Sequence, residues 1–193
     1  MEFVAKIFEK RGFDNITCIE QDLSHREFSN CTFAKCDFSG CKFSNSVFVD
    51  CVFRDSNLAN IKVDNCSFQG VTFEGSKLLG VVFSTINPFL ISLIFRRCNI
   101  ELCEFNNMDI KSSEFFECDI RETDFINTNL SAADFSSSDF SGSRFQDSNL
   151  EKANFVGAKN YYIDPTCNKL KNARFSTPDV LALLSGFGIK IEY

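Results

Sequence analysis

The sequence predicts an all-β solenoid, a coil of short strands stacked rung on rung, and three observations carry that prediction. First, a large apolar residue or its stand-in recurs every fifth position. One run is Phe13, Cys18, Leu23, Phe28, Phe33, Phe38, Phe43, Phe48, Phe53, Leu58, Val63, Phe68, Phe73, Leu78 and Phe83. The second is Leu90, Phe95, Ile100, Phe105, Ile110, Phe115, Ile120, Phe125, Leu130, Phe135, Phe140, Phe145, Leu150 and Phe155. Eighteen of the 24 phenylalanines fall in these runs, so the period organises the fold. Second, a step of five fits neither regular element. On an α-helix it lands about 140° past a full turn and scatters the rings, and along a straight strand an odd step alternates faces. Third, a small residue stands two positions before most of the large ones, as in Cys31, Cys36, Cys41, Ser46, Cys51, Ser56, Cys66, Ser113, Cys118, Thr123, Ser138 and Ala153. Two inward positions share a narrow interior only if one of them is small. Five-residue units, each one side and a corner, keep every ring inside and pile them into a single central column. The three remaining positions of each unit are mostly polar and face solvent.

In chain order, residues 1–12 keep Phe3 and Phe8 in phase and form a cap or irregular first rung. Residues 13–160 are the coil. Its phase breaks once, over 84–94: from Phe83 to Phe95 is twelve residues instead of ten, and the break holds Pro88, the only proline of the repeat region. Proline lacks a ladder donor, which predicts a bulge or small loop. The break is either a tolerated two-residue insertion or a protruding contact with Phe89 exposed. Residues 161–193 are a C-terminal cap. Ser176 or Thr177 as N-cap, Pro178 in the first turn and Gly186 as stop predict a helix. An alternating segment follows over 188–193, with Ile189, Ile191 and Tyr193 on one side. Val180, Leu181, Leu184, Phe187 and Ile189 are candidates for a homodimer interface in addition to capping.

Other chemistry has little support. Eight of the ten cysteines take the small inward position and Cys18 a large one, which reads as apolar filling. Cys31 over Cys51 and Cys98 over Cys118 stack with parallel Cβ vectors, a poor disulfide geometry. The single histidine, His25, has no nucleophile or base grouped with it, and no phosphate-binding loop motif occurs, so no enzyme, metal or cofactor is expected. Glu2, Lys6, Glu9 and Lys10 break up any signal-peptide core, and no apolar run is long enough to span a bilayer. The chain reads as cytoplasmic.

Units such as Ala133-Asp134-Phe135-Ser136-Ser137, Ala153-Asn154-Phe155-Val156-Gly157 and Ser148-Asn149-Leu150-Glu151-Lys152 resemble the signature of pentapeptide-repeat proteins. That resemblance implies a right-handed quadrilateral β-helix with four units per rung. About seven rungs at about 4.8 Å then give a rod roughly 35 Å long.

Charge is the informative surface property. The chain has 26 acidic and 20 basic residues, and residues 98–151 hold twelve of the acids against three bases. Glu104, Asp109, Glu114, Asp119, Asp124, Asp134 and Asp139 each precede a large apolar residue and so project outward at regular intervals. With Glu101, Glu117, Glu122 and Phe89 they are the candidate partner-binding residues. Two readings stand: the acids serve solubility and protect strand edges, or they imitate a nucleic-acid backbone and enter a basic DNA channel of an enzyme. Direct nucleic-acid binding is disfavoured, because like charges repel. The tail, from Asn160-Tyr161-Tyr162-Ile163-Asp164-Pro165 through Leu184 to Gly188-Ile189-Lys190-Ile191, is similar to the ending of the Qnr and AlbG branch, related to McbG and MfpA. That branch implies a dimeric rod joined at its C-terminal parts. It would bind DNA gyrase or topoisomerase IV and shield it from quinolones, albicidin or microcin. The longer projecting loops of enterobacterial Qnr proteins have no counterpart here beyond the insertion near Pro88. The competing class is an interaction scaffold with another protein partner.

Overall fold

Each five-residue unit is short because its last residue turns the chain. Nearly every unit ends on a residue with φ near +55°, among them Asn15, Asn30, Asn45, Asp55, Asn65, Asn107 and Asn127. Asn, Asp and Gly enter this left-handed region most cheaply. Gly70 shows the crowding at such a corner: φ is +63°, and a Cβ there would lie 2.3 Å from Asp50 Oδ1 in the rung beneath. Repeated corners produce the computed structural model, which describes residues 3–189 as a right-handed quadrilateral β-helix.

Four faces run along the rod. Face one pairs Ile7–Glu9, Glu27–Ser29, Val47–Val49 and Ser67–Gln69, all parallel. Face two is the longest sheet, from Gly12–Asp14 through Thr32–Ala34, Val52–Arg54, Val71–Glu74 and Leu93–Arg96 to Glu114–Phe116. Face three holds Lys77–Leu79, Asn99–Glu101 and Asp119–Arg121, and face four ends in Asp124–Ile126, Arg144–Gln146 and Tyr162–Ile163. Single bridges such as Asp22 to Lys42 and Asp109 to Asn129 continue each face where strands are not formed. Partners stand 20 residues apart, as in Phe33 to Phe53.

The rings pack as columns, one beneath each of three faces, and not as the single central pile expected. Under face two Phe13, Phe33, Phe53, Phe73, Phe95, Phe115, Phe135, Phe155 and Phe175 stack with centroids 4.6 to 5.3 Å apart. Phe8, Phe28, Phe48 and Phe68 stack under face one, and Phe83, Phe105, Phe125 and Phe145 under face four. Columns under adjacent faces meet edge to face, for example Phe28 on Phe33 at 75°. The square section sets this geometry, because adjacent faces turn their rings by about a right angle and both stacked and T-shaped contacts are favourable.

The small inward positions are buried as expected, and all ten cysteines are free thiols. Burial pushes the Cys66 and Cys41 thiols up to about 12. Cys167, outside the phase, is exposed.

Two expectations need correction. The period of five places Leu90 inward as the start of the second run, but it is exposed and has φ of +57°. The two added residues are absorbed on face one, where Asn87 Oδ1 accepts the Phe89 N–H at 3.0 Å and Ile91 packs against the core. Face one's strands stop there, and on face two the spacing becomes 22, with Phe73 opposite Phe95. The cap also differs. Asp179–Phe187 is a 3₁₀ helix whose N-cap is Pro178, without a side-chain cap, and which stops at Gly188 in the left-handed region, not at Gly186. Ser176 Oγ instead accepts the Gly157 N–H. Near the cap the spacing shortens to 18, Phe145 opposite Ile163, and Tyr161 turns into the core. Ile191 and Tyr193 lie outside the described residues.

Candidate partner-binding surface

The residue before each inward ring points outward by strand alternation. In the 20-residue register the candidate acids therefore divide among all four faces. Asp109 is on face one, Glu114 and Asp134 on face two, Glu101, Asp119 and Asp139 on face three, and Glu104 and Asp124 on face four. Glu117 and Glu122 occupy corners, with φ of +53° and +46°. The structure thus gathers no single carboxylate face; it wraps the charge around the rod.

Neighbouring rungs engage most of these groups. Arg96 binds Glu114 at 2.6 Å, Arg144 binds Asp124 at 2.6 Å and Lys159 lies 3.5 Å from Asp139, while Arg121 binds Asp119 at 2.8 Å within one strand. Glu104 accepts the Ser84 hydroxyl at 2.6 Å, and Asp109 accepts Asn129 Nδ2 at 2.9 Å. Asp134 accepts from the Ser136 N–H and hydroxyl and from Asn154. At Asp139 partial burial raises the carboxyl, but hydrogen bonds from Asn160 and Ser141 and the charge of Lys159 outweigh it and hold the group below its ordinary value. Glu101, Glu117 and Glu122 have no ion-pair partner within 4.0 Å among the described residues, and the two corner glutamates are exposed. Glu122 joins Glu104, Asp124, Val82 and Leu102 along a groove of about 410 Å³ on face four. Sequence reasoning missed Val82 and Leu102, which expose apolar surface beside those acids. Their signal was an apolar residue at an outward position.

Phe89 is 68% exposed at the tip of the insertion. In the cap, Ala182 and Leu183 pack on the core, Val180, Leu181 and Leu184 are half-buried, and Phe187 and Ile189 are 56% and 53% exposed. Among the described residues no group of three or more His, Cys, Asp or Glu could hold a metal ion, and no helix is long and apolar enough to cross a membrane.

A polar-faced rod with its aromatic rings spent on the core belongs to the repeat solenoids, whose working parts are extended surfaces and not enclosed pockets. The chain is a member of the pentapeptide-repeat family: the model for the pentapeptide repeat region matches residues 6–87 and 90–163, leaving out only Pro88 and Phe89 between them. Among solved structures it is similar to a trypsin-treated variant of QnrB1, a plasmid-mediated fluoroquinolone resistance protein. The TM-score is 0.69 at 16% identity, over 94% of this chain and 100% of that one. Full-length QnrB1 gives 0.59 at 15%, over 92% and 100%. HetL of the cyanobacterium Nostoc sp. strain PCC 7120, involved in heterocyst differentiation regulation, gives 0.50 at 15%, over 89% and 87%. At these identities the likeness is one of fold. No curated protein matches by sequence.

Proposed function

We propose that this protein is a non-enzymatic, DNA-mimicking rod that binds DNA gyrase or topoisomerase IV and shields it from inhibitors of the quinolone, albicidin or microcin type. The observation that carries the reading is the excess of nine negative charges over residues 98–151, displayed on a stiff rod. A wrapped distribution suits a channel that surrounds its ligand, as a DNA gate does, better than a flat one-sided contact. Glu101, Glu117 and Glu122, without an ion-pair partner among the described residues, are the strongest contact candidates, and Phe89 adds an apolar tip. Phe187, Ile189 and the half-buried Val180, Leu181 and Leu184 would join two copies at the cap.

A second reading has its own support. Asp109, Asp134 and Asp139 are committed to hydrogen bonds between or within rungs, so part of the acidity serves the solenoid itself. An interaction scaffold for an unrelated protein would need no more than that. A supercoiling assay with purified gyrase, with and without ciprofloxacin, separates the two. The mimic should inhibit alone or restore supercoiling against the drug, and Glu101→Gln/Glu117→Gln/Glu122→Gln should weaken either effect. No effect of the native protein at micromolar concentration would leave the scaffold reading.

A further inference from the structure

The net-charge argument against nucleic acid treats the rod as uniform, and its last two rungs are not. Residues 152–193 carry six basic and three acidic side chains. Lys152, Lys169, Lys171 and Arg174 are all exposed and lie together where faces one and two meet. The Lys152 N–H bonds the Lys171 carbonyl at 2.9 Å, Lys169 stands opposite Asn149, and Arg174 opposite Asn154. Along the rest of the rod most arginines pair with carboxylates: Arg144 meets Asp124, Arg96 meets Glu114, Arg121 meets Asp119, and Arg54 and Arg97 share Glu74. At this edge Lys169 and Arg174 face amides in the neighbouring rung, and none of the four cations has an ion-pair partner within 4.0 Å among the described residues. Their charge is not spent on the fold.

We propose that this edge binds the phosphate backbone of a nucleic-acid duplex. The proposal stands on charge placement alone and does not require the topoisomerase reading. Protein interfaces are built on an apolar centre with aromatic anchors and are depleted in lysine. Here the residues between the cations are Leu170, packed against the core, half-buried Ala173, and Asn172 at an exposed corner, with one carboxylate, Glu151, beside Lys152 and opposite Lys171. Lysine, arginine and asparagine are the side chains that take phosphate oxygens without reading sequence. About four such contacts give weak, sequence-independent binding, with a dissociation constant of order 10⁻⁴ to 10⁻⁶ M at physiological salt. The acidic rungs would keep the duplex at the end of the rod and off its sides.

Fluorescence anisotropy of a labelled DNA duplex, titrated with the full chain at low and at fourfold higher salt, tests this. Binding should fall by about 100-fold across that range, as expected for about four phosphate contacts. It should drop at least about 10-fold in Lys169→Gln/Lys171→Gln/Arg174→Gln and stay unchanged in Lys35→Gln/Lys42→Gln/Lys62→Gln, which removes the same charge from the other half. Unchanged circular dichroism in both variants keeps folding out of the comparison. Absence of binding at about millimolar protein in low salt, or equal losses in the two variants, overturns the proposal. So does salt-sensitive self-association, abolished by the first variant, in a chain that ignores DNA, because the edge would then belong to the acidic rungs of a second copy.

Discussion

The rod before Phe83 and the rod beyond Cys98 share one architecture and differ in what fills it and what coats it. Residues 1–97 carry eleven acids and eleven bases, whereas residues 98–151 carry twelve and three. Inside, the first half places thiols such as Cys31, Cys41, Cys51 and Cys66 beside the rings, and the second turns mostly to hydroxyls, Ser113, Thr123, Thr128, Ser138, Ser143 and Ser148. Most of these hydroxyls tie rungs together, while Ser113 Oγ donates to the Ile110 carbonyl in its own rung. Ser138 Oγ donates to the Phe115 carbonyl at 2.6 Å and accepts the Cys118 N–H at 2.9 Å, bonding two residues of the rung below. Thiol contacts vary: Cys51 Sγ lies 3.4 Å from the Phe28 carbonyl and Cys66 Sγ 2.7 Å from the Phe43 carbonyl. The acidic half therefore has more hydroxyl bonds between rungs than the first, where Ser46, Ser56 and Ser76 make them, and these bonds offset part of the repulsion that its carboxylates bring.

The largest test asks whether the ring columns of the two halves are equivalent. Phe53→Ala and Phe125→Ala each open a fully buried stack and should each cost about 3 to 5 kcal/mol in urea unfolding. A loss below about 1 kcal/mol at either site would mean that its column does not hold the rod. Next, Ser138→Ala strands two backbone groups and should cost about 1 to 3 kcal/mol. Cys51→Ala should cost less, and the reverse order would remove the contrast between hydroxyl and thiol. Gly70→Ala, at a left-handed corner against Asp50, should cost about 1 to 2 kcal/mol. Asn127→Ala, at an exposed corner that already carries a Cβ, removes instead the Asn127 Nδ2 bond to Asn107 at 2.8 Å and should cost less.

The smallest effect is on pH. The Asp139 carboxyl is held below its ordinary value in the folded rod, so its contribution is present above the unfolded value of about 4 and is lost as pH falls through the folded one. Unfolding midpoints measured between neutral and pH about 3 should decline, and Asp139→Asn should decline less. An identical profile would mean that the hydrogen bonds of Asn160 and Ser141 do not favour the charged form.

Much of this is legible from the period of five, because each inward ring marks one side of the square. The number of sides is not, since nothing in a five-residue step says how sharply the corner turns; it enters through the resemblance to pentapeptide repeats. Leu90 misleads because counting by fives resumes cleanly through it, while the chain inserts its extra residues just before Phe95. The signal of trouble, Asn87-Pro88, is visible and locates the loop correctly. The carboxylate count of the candidate surface is also plain in the sequence. Its division among faces, and the pairing of Arg96 with Glu114, depend on the register after that insertion and could not be counted out in advance.

The stacked register has a mechanical corollary. Each rung is bonded only to its neighbours, so tension applied between the two ends would load one layer at a time. Such a filament should yield in a sawtooth, each tooth freeing about 20 residues and roughly 65 to 70 Å of slack.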